Sequence, residues 1–146
     1  MSAPLPTPQP ERTPETDAFW AGTADGRLPL PYCPDCDTVI WYPREFCPQC
    51  GRRSVTWRTA SGRGTVYSYT VVHRTSGPYR DAVPYVLAYV ELDEGPRVLS
   101  NIVGCPPDDV RIGQPVQVVF CDTGAGSALY RFEPCSPTGM AADRRG

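Results

Sequence analysis

A chain of 146 residues with a formal net charge of −2 holds one ordinary domain, or one domain with a small metal module. That charge supplies no global basic field, which disfavours a general nucleic-acid binder. All fourteen basic residues are arginine; with no lysine a Schiff-base mechanism within the chain is excluded, while bidentate contacts to phosphate or carboxylate stay available.

Seven cysteines without a recognisable secretory leader point to a reducing, cytoplasmic compartment, where thiols bind metal or sit buried. No apolar run approaches the length of a membrane span. The chain opens on residues 1–12, where Pro4, Pro6, Pro8 and Pro10 alternate with other residues; such a run cannot pair its backbone and reads as an extended, disordered arm. Residues 13–31 follow as a short helix and lead-in. Thr13 suits a helix cap, Pro14 the first helical position, and Glu15 and Asp17 the positive end of the helix dipole, with Gly22 as the stop. Phe19 and Trp20 on so short a helix must pack on something. Either they dock on their own domain or they anchor another subunit.

The ribbon, residues 32–58, carries the strongest motif. Cys33-Pro-Asp-Cys36 and Cys47-Pro-Gln-Cys50 are separated by ten residues, and two such knuckles aim four thiolates at one point. Four soft sulfurs in a tetrahedron are a closed structural zinc site with no position left for water. Iron in the same cage and a dithiol redox pair are the alternatives. Gly51 fits the positive φ such a knuckle needs, and Asp37 stands at the equivalent place in the first. Between the knuckles, Val39 to Arg44 reads as a strand and turn with more aromatic surface at Trp41 and Tyr42 than a small ribbon can bury. Arg52, Arg53 and Arg58 beside Trp57 are either a solvated loop or an anion site for a phosphate-bearing ligand.

Residues 59–135 change period. Gly64–Arg74, Tyr85–Leu92, Arg97–Val103, Val116–Cys121 and Leu129–Phe132 read as five antiparallel strands, with a turn at Asp93-Glu94-Gly95 and a long break after the third. That count matches an OB-fold barrel. Residues 136–146 read as a loose tail. His73 is the single histidine, and Cys105, Cys121 and Cys135 are the thiols outside the knuckles. Nothing in the sequence brings a thiol to His73, so the chain is a poor enzyme on its own residues.

In this order, the knuckles, Pro43-Arg44, Gly62-x-Gly64-Thr-Val-Tyr-Ser-Tyr, Pro84-Tyr-Val-Leu-Ala-Tyr-Val-Glu-Leu-Asp-Glu-Gly95 and Ile112-Gly-Gln-Pro-Val116 resemble the DUF35 family of OB-fold, acyl-CoA-associated proteins with a rubredoxin-like zinc ribbon. The resemblance covers roughly residues 13–135, and its departure is Asp37, where the family usually has glycine. It implies a mainly β fold, structural zinc on Cys33, Cys36, Cys47 and Cys50, and a thiolase-fold partner subunit that supplies the catalytic groups. The function implied is an accessory subunit for acyl transfer or retro-aldol shortening of steroid side-chain CoA thioesters. Phe19, Trp20, Trp41 and Tyr79 are then the candidate partner contacts. Arg52, Arg53 and Arg58, or the loop from Ser76 to Arg80, are the candidate acyl-CoA contacts. The competing readings are a single-stranded nucleic-acid module stacking bases on Tyr67, Tyr69, Tyr85 and Tyr89, and an independent hydrolase or acyltransferase.

Overall fold

The computed structural model describes residues 4–135, so the tail expected at 136–146 lies outside the described residues. One helix, α1 (Asp17–Ala24), precedes a three-stranded sheet and a closed five-stranded barrel. The helix begins later than the sequence suggests. Thr13 and Thr16 cap each other's backbone, the Thr16 hydroxyl accepting from the Thr13 N–H at 2.9 Å and the Thr13 hydroxyl from the Thr16 N–H at 3.3 Å. Regular helix then starts at Asp17, one turn on.

The end also differs. Gly22 is the stop that the sequence predicts, yet the helix runs through it, and the terminator is Gly26 at φ 79°. The N–H of Arg27 reaches the carbonyl of Gly22 at 2.9 Å and that of Gly26 reaches Thr23 at 3.0 Å, the paired bonds of a Schellman cap. Gly22 serves packing instead, because a Cβ there would stand 2.5 Å from Cγ of Pro29.

The sheet takes the order β2-β1-β3, from β1 (Pro29–Cys33), β2 (Thr38–Val39) and β3 (Thr56–Thr59). Sequence reasoning misses β3. All four of its residues are exposed, so it lacks the alternating buried face that betrays a strand, and it is held as an edge by backbone pairing of Pro29 with Thr59 through Tyr32 with Thr56.

The barrel comprises β4 (Arg63–Val72), β5 (Tyr85–Leu92), β6 (Arg97–Ile102), β7 (Pro115–Asp122) and β8 (Ala128–Pro134), in the closed order β4-β5-β6-β8-β7. The expectation of five antiparallel strands needs one correction. A ring of five cannot alternate direction all the way round, so one neighbouring pair must be parallel, and it is β6 with β8, at Ile102 and Phe132. Alternation along β5 puts Val86, Ala88, Val90 and Leu92 inside and turns Leu87, Tyr89 and Glu91 outward. Val66, Val98, Val116 and Phe132 complete the interior. At Gly64, β4 pairs with both β5 and β7, and a Cβ would stand 2.5 Å from the carbonyl oxygen of Glu91. Glycine is what lets the barrel close there. The β4–β5 register shifts between Val66 and Ser68, leaving Tyr67 as an extra, bulged residue that bends the strand.

Phe19 is fully buried and Trp20 is 5% exposed. Their rings meet Tyr130 at 5.7 and 6.1 Å between centroids, and Phe19 meets Trp41 at 5.5 Å. The helix therefore uses both rings to dock on its own barrel. Of the two fates the sequence leaves open, this is the internal one.

Candidate metal centre and its surroundings

The centre is built by two hairpin turns. The first knuckle links β1 to β2, with Tyr32 opposite Val39 and Cys33 opposite Thr38. In the second, the Cys47 N–H donates to the Arg52 carbonyl at 2.9 Å and the Gly51 N–H to the Cys47 carbonyl at 2.7 Å. Gly51 has φ 74°, as its position after Cys50 requires. Asp37 has φ 50° in the matching place, a left-handed conformation aspartate tolerates better than most residues. Its carboxylate accepts the hydroxyl hydrogen bond of Tyr32, and the Arg58 guanidinium lies over the Tyr32 ring at 3.4 Å from the centroid. The departure from glycine thus comes with its own support.

The four sulfurs of Cys33, Cys36, Cys47 and Cys50 lie within 4.8 Å of one another. Cys33 to Cys50 is 3.8 Å and Cys36 to Cys47 is 3.9 Å. A tetrahedral zinc with Zn–S of about 2.3 Å puts its sulfurs about 3.8 Å apart, so both edges have the length such an ion demands. Burial pushes the Cys33 thiol up, while the Cys47 thiol is held down to about 7, first by the backbone N–H of Cys50. Cys36 is pushed up to about 12, first by its hydrogen bond with the Cys50 thiol. Cys33 and Cys36 are both held towards the neutral thiol without a cation beside them, which suits a site completed by a divalent metal. Across the two knuckles, Ser54 donates to Asp35 at 2.8 Å and Arg52 pairs with the same carboxylate at 3.5 Å.

The three candidate anion-site arginines do not act as one group. Arg52 faces Asp35, Arg53 pairs with Glu45 at 3.1 Å, and Arg58 stacks on Tyr32. Of the three, Arg58 lines a cleft of about 450 Å³ between ribbon and barrel, with Leu30, Tyr32, Asp37 and Glu94. Trp41 is partly buried against the helix rings. Tyr79 sits on a 3-10 turn, Gly77–Ala82, its ring 5.6 Å from that of Tyr85. His73 is exposed at the end of β4, and among the described residues no thiol hydrogen-bonds to it.

The outer face of β4, β5 and β6 brings Tyr67 and Tyr89, which the sequence offers only as base-stacking tyrosines, together with Leu87 and Leu99, which it does not single out. Tyr67, Leu87, Tyr89 and Leu99 are 36–47% exposed there, Tyr89 directly opposite Leu99 and next to the bulge that carries Tyr67. Arg97 covers the Tyr67 ring at 3.8 Å and pairs with Glu91 at 3.0 Å. The signal is available in the outward positions of the period-2 pattern, which carry tyrosine and leucine where a solvated sheet carries charge.

Residues 20–56 match the profile of the ChsH2 rubredoxin-like zinc ribbon domain, and residues 57–121 that of the ChsH2 C-terminal OB-fold domain. A DUF35 domain-containing scaffold protein of Methanocaldococcus jannaschii is 40% identical over 109 residues, 70% of this chain and 77% of that protein. The chain belongs to the DUF35 family. Among solved structures, this DUF35 chain is similar to the Ltp2-ChsH2(DUF35) aldolase, with a TM-score of 0.78, 34% identity, and coverage of 86% of this chain and 98% of that one. It is also similar to the benzoylsuccinyl-CoA thiolase subunit BbsA of Thauera aromatica, 27% identical over 113 residues, 73% of this chain and 77% of that subunit. Of two longer acyl-CoA hydratase alpha subunits it also matches, the DUF35 chain spans 38% and 40%. The ribbon and the barrel expected from the sequence are both present, and no helix among the described residues is long and apolar enough to cross a membrane.

Proposed function

We propose that this chain is a non-catalytic accessory subunit of a thiolase-superfamily enzyme that acts on acyl-CoA thioesters. The observation that carries the reading is the outer face of β4, β5 and β6: four large apolar or aromatic side chains are exposed there, Tyr89 and Leu99 directly opposite each other, on a chain similar to a thiolase subunit and to the DUF35 part of an aldolase. A protein partner is what such a face is built to meet. Trp41 and Tyr79 are secondary contacts; Phe19 and Trp20 hold the helix in place from inside.

Cys33, Cys36, Cys47 and Cys50 hold one structural zinc. When bound, the ion supplies a rigid four-sulfur crosslink and no open coordination position for chemistry. The ribbon fixes β1 and β3, and through them Arg58 and the 450 Å³ cleft. That cleft is the best placed of the arginine candidates for an acyl-CoA contact, because Arg52 and Arg53 are paired with carboxylates within the ribbon. A cytoplasmic location suits seven cysteines that carry no disulfide among the described residues.

The test is co-expression with the thiolase-fold subunits of the same organism. The expected result is a stable hetero-oligomer with one of them, lost in Tyr89→Asp although that variant melts like the parent chain alone. A chain that stays monomeric beside every thiolase-fold subunit overturns the reading.

A further inference from the structure

The proline-rich arm is not a free tail over its described length. Residues 4–12 form no regular element, yet they run along the outside of the barrel between two anchors. At one end the Arg131 guanidinium donates to the Pro6 carbonyl. At the other, Arg12 donates to the Gly126 carbonyl at 3.0 Å and pairs with Asp17 at 2.9 Å. As the arm ascends from Pro6 to Arg12, its anchors on the barrel descend from Arg131 to Gly126, so the arm lies antiparallel to β8.

What the arm covers is unusual. Arg131 is only 4% exposed, and arginine is almost never buried unless it is paired. Among the described residues no carboxylate lies within ion-pair reach of it. Its one hydrogen-bond acceptor there is a neutral carbonyl, on a guanidinium with five N–H donors. Beside this point, Pro4 and Leu5 form one wall of a cleft of about 600 Å³, whose other sides include Tyr85, Ile102 and Val103. The arm thus covers the charge with Pro6 and lines the cleft with Pro4 and Leu5, and alternate prolines deny it the backbone ladder that would hold it firmly.

We propose that the arm is a removable cover on an oxyanion site whose floor is Arg131, and that a carboxylate or phosphate group displaces the Pro6 carbonyl from the guanidinium. The arm serves as a neutral stand-in for the ligand, holding the Pro6 carbonyl on the guanidinium until the anion arrives. The site is separate from the outer face of β4, β5 and β6 and does not rest on the partner reading.

The experiment uses the full chain, with inorganic phosphate and acetate as probes, each titrated at constant ionic strength against chloride and read by the Nε–Hε resonance of Arg131. Arg12→Ala releases the far anchor without touching the site. It is expected to tighten binding of at least one probe threefold or more over the parent chain, with the Arg131 resonance moving on titration and the response absent in Arg131→Gln. The preferred probe separates a phosphate ester from a carboxylate as the natural ligand. If Arg12→Ala binds neither probe more tightly than the parent, or the Arg131 resonance stays still while phosphate or acetate binds, the proposal is overturned. Because the resonance is read in the Arg12→Ala chain itself, the outcome is decisive even if Arg131→Gln does not fold.

Discussion

Asp37 shows how a single side chain can be legible as a departure and opaque as a solution. Its left-handed φ of 50° follows from its place after the first knuckle, but the Tyr32 hydroxyl that meets it, and Arg58 stacked on that ring, arrive from β1 and β3, and the latter strand carries no sequence signal. The structure predicts an asymmetry between two small replacements. Asp37→Gly loses a hydrogen bond and sheds backbone strain, so its stability by denaturant melt stays within about 1 kcal/mol of the parent. Asp37→Ala loses the bond and keeps the strain, and falls by about 2 kcal/mol. The cysteines are fully legible, because Cys-x-x-Cys spacing dictates local geometry and the four sulfurs converge within 4.8 Å. Cys47→Ser removes one of the four converging sulfurs; zinc content by mass spectrometry falls from one ion per chain towards none, and stability drops by about 4 kcal/mol or more.

Among the elements, the barrel strands are readable and the helix is readable only in part. Period-2 alternation announces β5 because inside and outside positions differ in character, whereas β3 has no inside. Gly22 reads as a stop from sequence because glycine ends helices, and only the approach of Pro29 reveals that it is there for space. Gly22→Ala is accordingly expected to destabilise by about 1–3 kcal/mol in spite of alanine's higher helix propensity. The helix also governs behaviour in alkali. Packing against Phe19, Trp20 and Trp41 raises the pKa of Tyr130 and so suppresses its ionisation, with burial the first cause. An unfolded tyrosine ionises near pH 10, so above that pH the unfolded chain binds fewer protons than the folded one. Stability contributed by the neutral phenol is present below pH 10 and lost as pH rises further. Thermal melts from pH 9 to 11.5 are expected to fall, and to fall less steeply in Tyr130→Phe.

At the scale of the molecule, exposed large apolar side chains stand on the outer sheet face at Tyr67, Leu87, Tyr89 and Leu99, on the ribbon at Tyr42, Phe46 and Trp57, and at Ile112. Composition excludes a lysine-based mechanism, and the motif order points to the family; neither says which side chains remain uncovered, since that depends on where α1 and the arm lie. The sequence leaves Phe19 and Trp20 either docked on their own domain or anchoring another subunit, and the fold buries both. Tyr67, Leu87, Tyr89 and Leu99 stand exposed on the outer sheet face, and they are the contacts we propose instead. Leu99→Asp, on the same face, is expected to weaken the complex at least tenfold by calorimetry while leaving the melting temperature of the isolated chain unchanged.

The most direct measurement is acyl-CoA turnover by the purified thiolase-fold subunit, by this chain, and by the two together, in one assay with thioester consumption followed by mass spectrometry. The account predicts turnover that is greatest for the complex and none for this chain alone. Thioester consumption by this chain in isolation contradicts it.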